Sequence, residues 1–311
     1  MLKSTLAILF LVLSILVKAQ YENTNAIIDL SIDNDIVFRR DRYYSSGITL
    51  KVYTPWLEKS PIKNILLPSG NGEITYCALS ITHNMYTPER TLTPATQYTD
   101  HPYATYLLLG YSNLSFNKKK RIKKTSGIEL GLIGSLAGGE FIQNKLHENI
   151  SIATPSEGWH NQIQNDICLQ YNATIEKGLV NLPWIELNAF VSGTLGVPHT
   201  EANIGSYLRI GLFNDYFRGI SVDVSSGWQA WVFCSGSIYL VNYNATLQGG
   251  FYNKNNVHTI NTINNSLYHA KFGAVVQFKR FSAEYGIEVR SPEFSTAYWH
   301  RWGHLNITFA F

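Results

Sequence analysis

The sequence predicts an all-β fold, an antiparallel transmembrane β-barrel of about twelve strands with a short helix in an outer loop. Three observations predict it: residues that alternate apolar and polar, an export-type amino terminus, and few charges. Of 311 residues, 45% are hydrophobic and only 15% charged, against about 25% charged in a typical soluble domain. Aromatics reach 13%, a share that suits the interfacial girdles of membrane barrels. The formal charge of +3 falls to about +1 if Lys3 and Lys18 leave with a cleaved segment, which excludes a nucleic-acid partner held by phosphate neutralisation.

Residues 1–19 carry a basic start at Lys3, an apolar run from Leu6 to Val17 and Val17-Lys18-Ala19 before Gln20, the layout of a secretory signal cleaved after Ala19. The apolar run is shorter than the roughly 20 residues that cross a bilayer as a helix. Residues 20–311 then form one barrel domain. Cys77, Cys168 and Cys234 permit at most one intrachain disulfide and have no metal-ligand spacing.

Alternation is clearest at the carboxyl terminus, where Leu305, Ile307, Phe309 and Phe311 interleave with Asn306, Thr308 and Ala310. Ile48, Leu50 and Val52, then Ile128, Leu130 and Leu132, repeat the pattern. Strand candidates are 26–33, 45–55, 73–84, 102–115, 124–135, 165–177, 183–193, 206–214, 228–245, 267–278, 281–290 and 304–311. With both ends in the periplasm, long loops follow odd strands: 34–44, 85–101, 136–164, 194–205, 246–266 and 291–303. Short turns are expected at Lys279-Arg280 and at Gly178 to Leu182, and the link 56–72 is long for a periplasmic turn. A closed barrel leaves no sheet edge, so a monomer is expected.

Three polar clusters fall on the loop side. Asp33-Asn34-Asp35 faces Asp41-Arg42-Tyr43-Tyr44-Ser45-Ser46-Gly47 across one hairpin, an all-oxygen set suited to calcium or magnesium and equally to local turn bonds at a hairpin tip. Parity puts Ser45 and Gly47 on the polar face and groups Asp35 with Asp33 and Asp29. In the second cluster, Leu136, Glu140, Gln143 and His147 share one helical stripe; a histidine there suits general-base work or is a solvated surface residue. The third, Gly158-Trp159-His160-Asn161-Gln162, holds a Trp that reads equally as an interface anchor. Gly-x-Ser-x-Gly, Walker and His-Glu-x-x-His motifs do not occur.

Taken together with Tyr86-Thr87-Pro88, Asp100-His101-Pro102-Tyr103-Ala104 and the Lys279-Arg280-Phe281-Ser282 turn, these segments resemble, in order, the outer-membrane lipid A 3′-O-deacylase (LpxR-like) family. The resemblance implies a twelve-stranded barrel in the bacterial outer membrane, acting on lipid A of lipopolysaccharide among outer-membrane lipids, with Ca2+ as cofactor. It implies Asn34, Asp35 and Ser45 as the essential polar and metal-holding residues, Ser45 standing where Thr also occurs, and His147 as the water-activating base. Arg90, His101 and Gln143 are expected at the substrate. His101 replaces an Arg found in some relatives, and Thr91, Thr93, Thr96 and Gln97 stand where basic residues would hold substrate phosphates, leaving Arg90. Ala153 stands where an acidic residue occurs, with Glu157 the nearest later candidate. The competing expectations are a non-enzymatic pore or adhesive barrel, with a lumen open along its length, and a related phospholipase or esterase.

Overall fold

The computed structural model describes residues 26–38, 42–149, 156–220, 222 and 227–311, without the side chains of 146–149. Twelve antiparallel strands close into one barrel in sequence order, with the last pairing on the first. They are β1 (Ile27–Asn34), β2 (Tyr43–Tyr53), β3 (Ile74–Thr87), β4 (Ala104–Asn117), β5 (Ile122–Ile133) and β6 (Asp166–Leu182). The ring continues with β7 (Ile185–Gly196), β8 (His199–Leu212), β9 (Trp228–Asn244), β10 (Ser266–Phe278), β11 (Phe281–Arg290) and β12 (His300–Ala310). Helix α1 (Gly139–Asn149) follows β5, and the single turn α2 (Ala245–Gln248) follows β9. No helix among the described residues is long and apolar enough to cross a membrane; the strands provide the crossing.

The period-two pattern explains the wall. Leu109, Leu130, Leu169, Leu195, Ile204 and Leu240 are all more than half exposed and point outward, as lipid-facing positions of a barrel must. Their neighbours turn inward and fill the lumen, so that Tyr106 of β4 meets His199 of β8, with ring centroids 5.8 Å apart. On the wall of β10 to β12 and β1, Asp33 accepts from His304 Nδ1 at 2.6 Å, and Lys271 sits 2.7 Å from Glu284. His269 Nε2 donates to Glu288 at 2.9 Å. Buried charges of this kind persist only when paired, and the resulting lumen is bridged by side chains instead of open.

The closed twelve-stranded barrel and its strand positions agree with the sequence reading, and three connections differ. The turn expected at 178–182 is Pro183-Trp184, because β6 runs on to Leu182. The loop expected at 194–205 is only Val197-Pro198, since β7 and β8 pair through it. The long link after β2 forms two short 3-10 turns, Pro55–Lys59 and Pro61–Ile65, and lies outside the wall. Tyr111 donates to the Leu57 carbonyl at 2.7 Å, and Asn113 donates to that of Leu67 at 3.2 Å. Ser126 accepts from Leu67 N–H at 2.9 Å. Tyr111, Asn113 and Ser126 share the outward parity of Leu109 and Leu130, so the strap satisfies polar groups that would otherwise face hydrocarbon.

At the same end, the link between β8 and β9 turns into the barrel mouth. Asp215 accepts from Phe217 N–H, and Tyr216 donates to Glu176 at 2.7 Å. Arg209 and Arg121 both pair with the fully buried Glu186. A cavity of about 200 Å³ above them is lined by Asp29, Tyr53, Lys123, Arg209 and Tyr216. The three cysteines are unpaired.

Candidate active site at the loop end

At the opposite, loop-bearing end, the β1–β2 hairpin departs from regular pairing. Asn34 is the last residue of β1 and pairs with Gly303 of β12 and Ser46 of β2, which places it on the outward face. Its side-chain carbonyl accepts from Ile36 N–H at 2.7 Å, an Asx turn that ends the strand. The chain then makes a 3-10 turn over Ile36–Phe38, folded over the rim onto the outside of β12. Asp35 lies after the strand has ended, so its expected grouping by parity with Asp33 and Asp29 does not hold. Asp35 is 2% exposed and accepts from Arg42 N–H at 2.9 Å, while its own N–H donates to Ser45 O at 3.3 Å.

A β-bulge interrupts β2 against β3 between Tyr44 and Ser46, and Ser45 is the extra residue. The bulge overturns the parity expected for Ser45: Tyr44, instead, turns into the lumen, where its hydroxyl donates to Asp33 at 2.7 Å. Gly47 permits this, because a Cβ there would collide with the Tyr44 ring and hydroxyl. Asp33 therefore belongs to the lumen network and is separated from Asp35. The hairpin carries strain as well: Tyr43 sits at φ +57°, left-handed backbone that costs a non-glycine residue about 1 kcal/mol or more. Packing offsets it, with Tyr43 edge-on to Phe294 and His300. Asp41 lies outside the described residues.

Helix α1 forms the other flank. Its entry folds over the outer faces of β3 and β4: His83 Nε2 donates to Ala137 O at 3.1 Å, and Gly139 packs so closely on Thr105 and Trp159 that a Cβ would displace both. Gly138 at φ +80° makes the turn into the helix. Gln143 is 2% exposed and accepts from Trp159 Nε1 at 2.7 Å. Tyr103 packs against Trp159 at a tilt, with ring centroids 4.8 Å apart, and Met85 and Ile142 complete the cluster. Trp159 is thus fully buried and is no interface anchor. Leu136 falls in the 3-10 turn before the helix and Glu140 is exposed, so the expected stripe begins at Gln143. Position 147 lies one turn further along α1; its side chain is outside the described residues, as is Ala153.

The structure brings Asn34, Asp35 and Ser45 together at the rim, through the Asp35 N–H bond to Ser45 O and the pairing of Asn34 with Ser46. The entry to α1 packs on β3 and β4 nearby, and the 36–38 turn packs on Gly303 of β12. Arg90 is exposed on the loop after β3, with its carbonyl bonded to Gln97. His101 and Gln143, expected at the substrate, are both buried and act on neighbouring protein groups instead. His101 is 1% exposed, stacks flat on Tyr86 at 5.3 Å and donates from Nδ1 to Pro102 O at 2.6 Å. Burial pushes its pKa down to about 4, against smaller upward pulls from the Pro102 carbonyl and Asp100, so it is a neutral packing element. Glu157 is exposed, and its N–H donates to Thr91 O.

Arg42 was not singled out in the sequence. Its backbone holds Asp35, its guanidinium pairs with Glu89 at 2.8 Å, and it lies over Tyr43 and Tyr298, which ties three loops to the site. Its place inside Asp41-Arg42-Tyr43-Tyr44 was the available signal.

Asp33, Glu288 and His304 place ligand-type atoms within 4.8 Å of one another in the lumen, but the Lys271 ammonium already lies 3.5 Å from Glu288. Asn34, Asp35 and Ser45 offer a different set: one buried carboxylate, an amide carbonyl, a hydroxyl and nearby backbone carbonyls. All are hard oxygen donors, and the set fits calcium.

A closed barrel with an apolar outward wall, whose loop end holds a buried carboxylate, is a membrane-embedded β-barrel protein. The chain belongs to the LpxR family: the family described as "Outer membrane protein LpxR" matches residues 6–311. Among solved structures, LpxR from Salmonella typhimurium superposes with a TM-score of 0.74 at 19% identity, over 92% of this chain and all of that one. The β domain of the Bordetella autotransporter BrkA aligns with a TM-score of 0.48 at 10% identity, over 93% of this chain and 99% of that one. No curated protein matches the chain. Membership places the barrel in the outer membrane.

Proposed function

We propose that the chain is a calcium-dependent lipid A 3′-O-deacylase that hydrolyses the 3′-linked acyloxyacyl ester in the outer leaflet. The observation that carries this reading is the position of Asn34, Asp35 and Ser45 on the outward rim beside α1, where a lipid ester enters laterally without leaving its leaflet. A pore needs a clear lumen, and here the lumen is bridged by Tyr106 and His199 and by ion pairs.

Asp35, Asn34 and Ser45 would hold the calcium ion, which supplies Lewis-acid polarisation of the ester carbonyl when bound. His147, on α1, takes the proton of an attacking water as oxygen bonds to the acyl carbon. Collapse breaks the bond to the sugar oxygen, which receives that proton, and yields a free sugar hydroxyl and the acyloxyacyl acid. No covalent acyl-enzyme is needed. Gln143, fixed by Trp159, and Arg42, which holds Asp35, keep helix and hairpin in register.

The test is acyl release from purified lipid A in detergent, followed by mass spectrometry. Loss of the 3′ acyloxyacyl mass that requires His147 and divalent metal supports the mechanism; release undiminished in His147→Ala contradicts it. A phospholipid ester cleaved in preference to lipid A would instead favour a phospholipase.

A further inference from the structure

We infer that Arg301 is a phosphate-binding specificity residue on the lipid face of the barrel, seating a phosphate of the substrate's sugar headgroup beside Asn34. The inference rests on the proposed deacylase reading and concerns how the same site holds its lipid.

Alternation along β12 turns His300, Trp302 and His304 inward and Arg301 and Gly303 outward, with Arg301 exposed. Gly303 pairs directly with Asn34. Arg301 lies two residues further toward the loop end on the same face, about 7 Å along the strand at ~3.3 Å per residue. Its cross-strand neighbour is Val289, and among the described residues it has no carboxylate partner. A cation on the lipid side of a barrel is tolerated only near the interface, where the cost of placing it falls close to nothing. Its surroundings fit that level: Tyr298 and Trp299 are each 56% exposed, as in an aromatic girdle.

The 36–38 turn shapes the seat. Val37 occupies the space beside Gly303 that a Cβ would take, and the Phe38 ring lies under the Arg301 guanidinium, 4.4 Å from centroid to Cζ. Stacking on one face leaves the edge N–H donors uncommitted to the ring, and it is by these edge donors that a guanidinium grips phosphate with two parallel bonds. Ile36 and Val37, 46% and 51% exposed, offer apolar surface to acyl chains next to that cation. A glycolipid with a phosphorylated sugar and several acyl chains matches this pairing of charge and apolar surface, and lies in reach of Asn34 and Asp35.

The experiment compares lipid A bearing its headgroup phosphate with the same lipid enzymatically dephosphorylated, in phospholipid-free detergent, for the wild-type chain, Arg301→Gln and Arg301→Lys. Arg301→Gln should raise KM for the phosphorylated lipid about 10-fold, the size of one charge-assisted contact, leave kcat within about 2-fold, and leave KM for the dephosphorylated lipid in place. Arg301→Lys should recover part of the loss, as a point charge without the fork. An unchanged KM, or an equal rise for both lipids, would overturn the assignment. Native mass spectrometry of the protein with each lipid in chelator reads binding without turnover: selective loss of the phosphorylated complex in Arg301→Gln supports the seat, and equal retention defeats it. Failure of the wild-type chain to deacylate either lipid would defeat the proposed function, while the binding arm still decides Arg301.

Discussion

The arc formed by β12, β1 and β2 and the wall formed by β6, β7 and β8 share the same antiparallel pairing and the same alternation, yet only the first carries the candidate site. The far wall also has bulges, between Gly178 and Val180 and between Thr200 and Glu201. Those lie close to tight connections at Pro183-Trp184 and Val197-Pro198 and leave Leu179 58% exposed to the surroundings. In the arc, the bulge at Ser45 sits opposite the end of β1, and loops from three other hairpins cover it. The difference teaches that a bulge only re-aims side chains; the bonds from Arg42 N–H to Asp35 and from Asp35 N–H to Ser45 O hold the re-aimed groups buried.

The comparison breaks most visibly at Asp35. Asp35→Asn keeps the shape and removes the buried charge, so acyl release should fall at least ~10³-fold, about 4 kcal/mol of transition-state stabilisation, while the folded barrel keeps its heat-modifiable gel mobility. Next in size is the pH response of the loop cover. Because burial holds His101 near a pKa of about 4 in the fold against about 6.5 unfolded, stability is full above pH 6.5 and is lost as pH falls toward 4, by up to about 3 kcal/mol. Urea unfolding at pH 7 and pH 4.5 measures this, and His101→Phe should flatten the slope.

A smaller effect is expected from Gly47→Ala, which drives a Cβ into Tyr44 and should cost about 1–3 kcal/mol of stability with loss of activity as Tyr44 leaves Asp33. Trp159→Phe removes the donor to Gln143 and should lower activity by about 10-fold, near 1.4 kcal/mol, through looser placement of α1. On the far wall Trp184→Phe should alter neither stability nor acyl release beyond about 0.5 kcal/mol. A far-wall effect as large as those in the arc would dissolve the comparison.

Much of the barrel was legible because its pattern is local: each outward leucine announces its strand, and the terminal Leu305 to Phe309 alternation survives unchanged into β12. What escaped the sequence depends on register. Strict parity misassigned Ser45 and Asp35, since one inserted residue at a bulge, or one step beyond a strand end, cancels a period-two argument. The strap over 55–72 was a puzzle of length, although Asn113 and Ser126 at outward parity carried its signal. At the site, the motif residues Asn34, Asp35 and Ser45 were legible as a set, whereas the burial of His101 and Gln143 was not. His101 lies on a loop and Gln143 on α1, and only the packing of Tyr86 and Trp159 shows that they support neighbouring groups from within.

The most direct measurement of the central claim is the lipid A mass spectrum of outer membranes that contain the wild-type chain, His147→Ala or Asp35→Asn, with and without a calcium chelator. The account predicts loss of the 3′-linked acyloxyacyl mass with the wild-type chain alone, and its retention in both variants and under chelation. Loss of that mass in the His147→Ala variant or in chelator would contradict it.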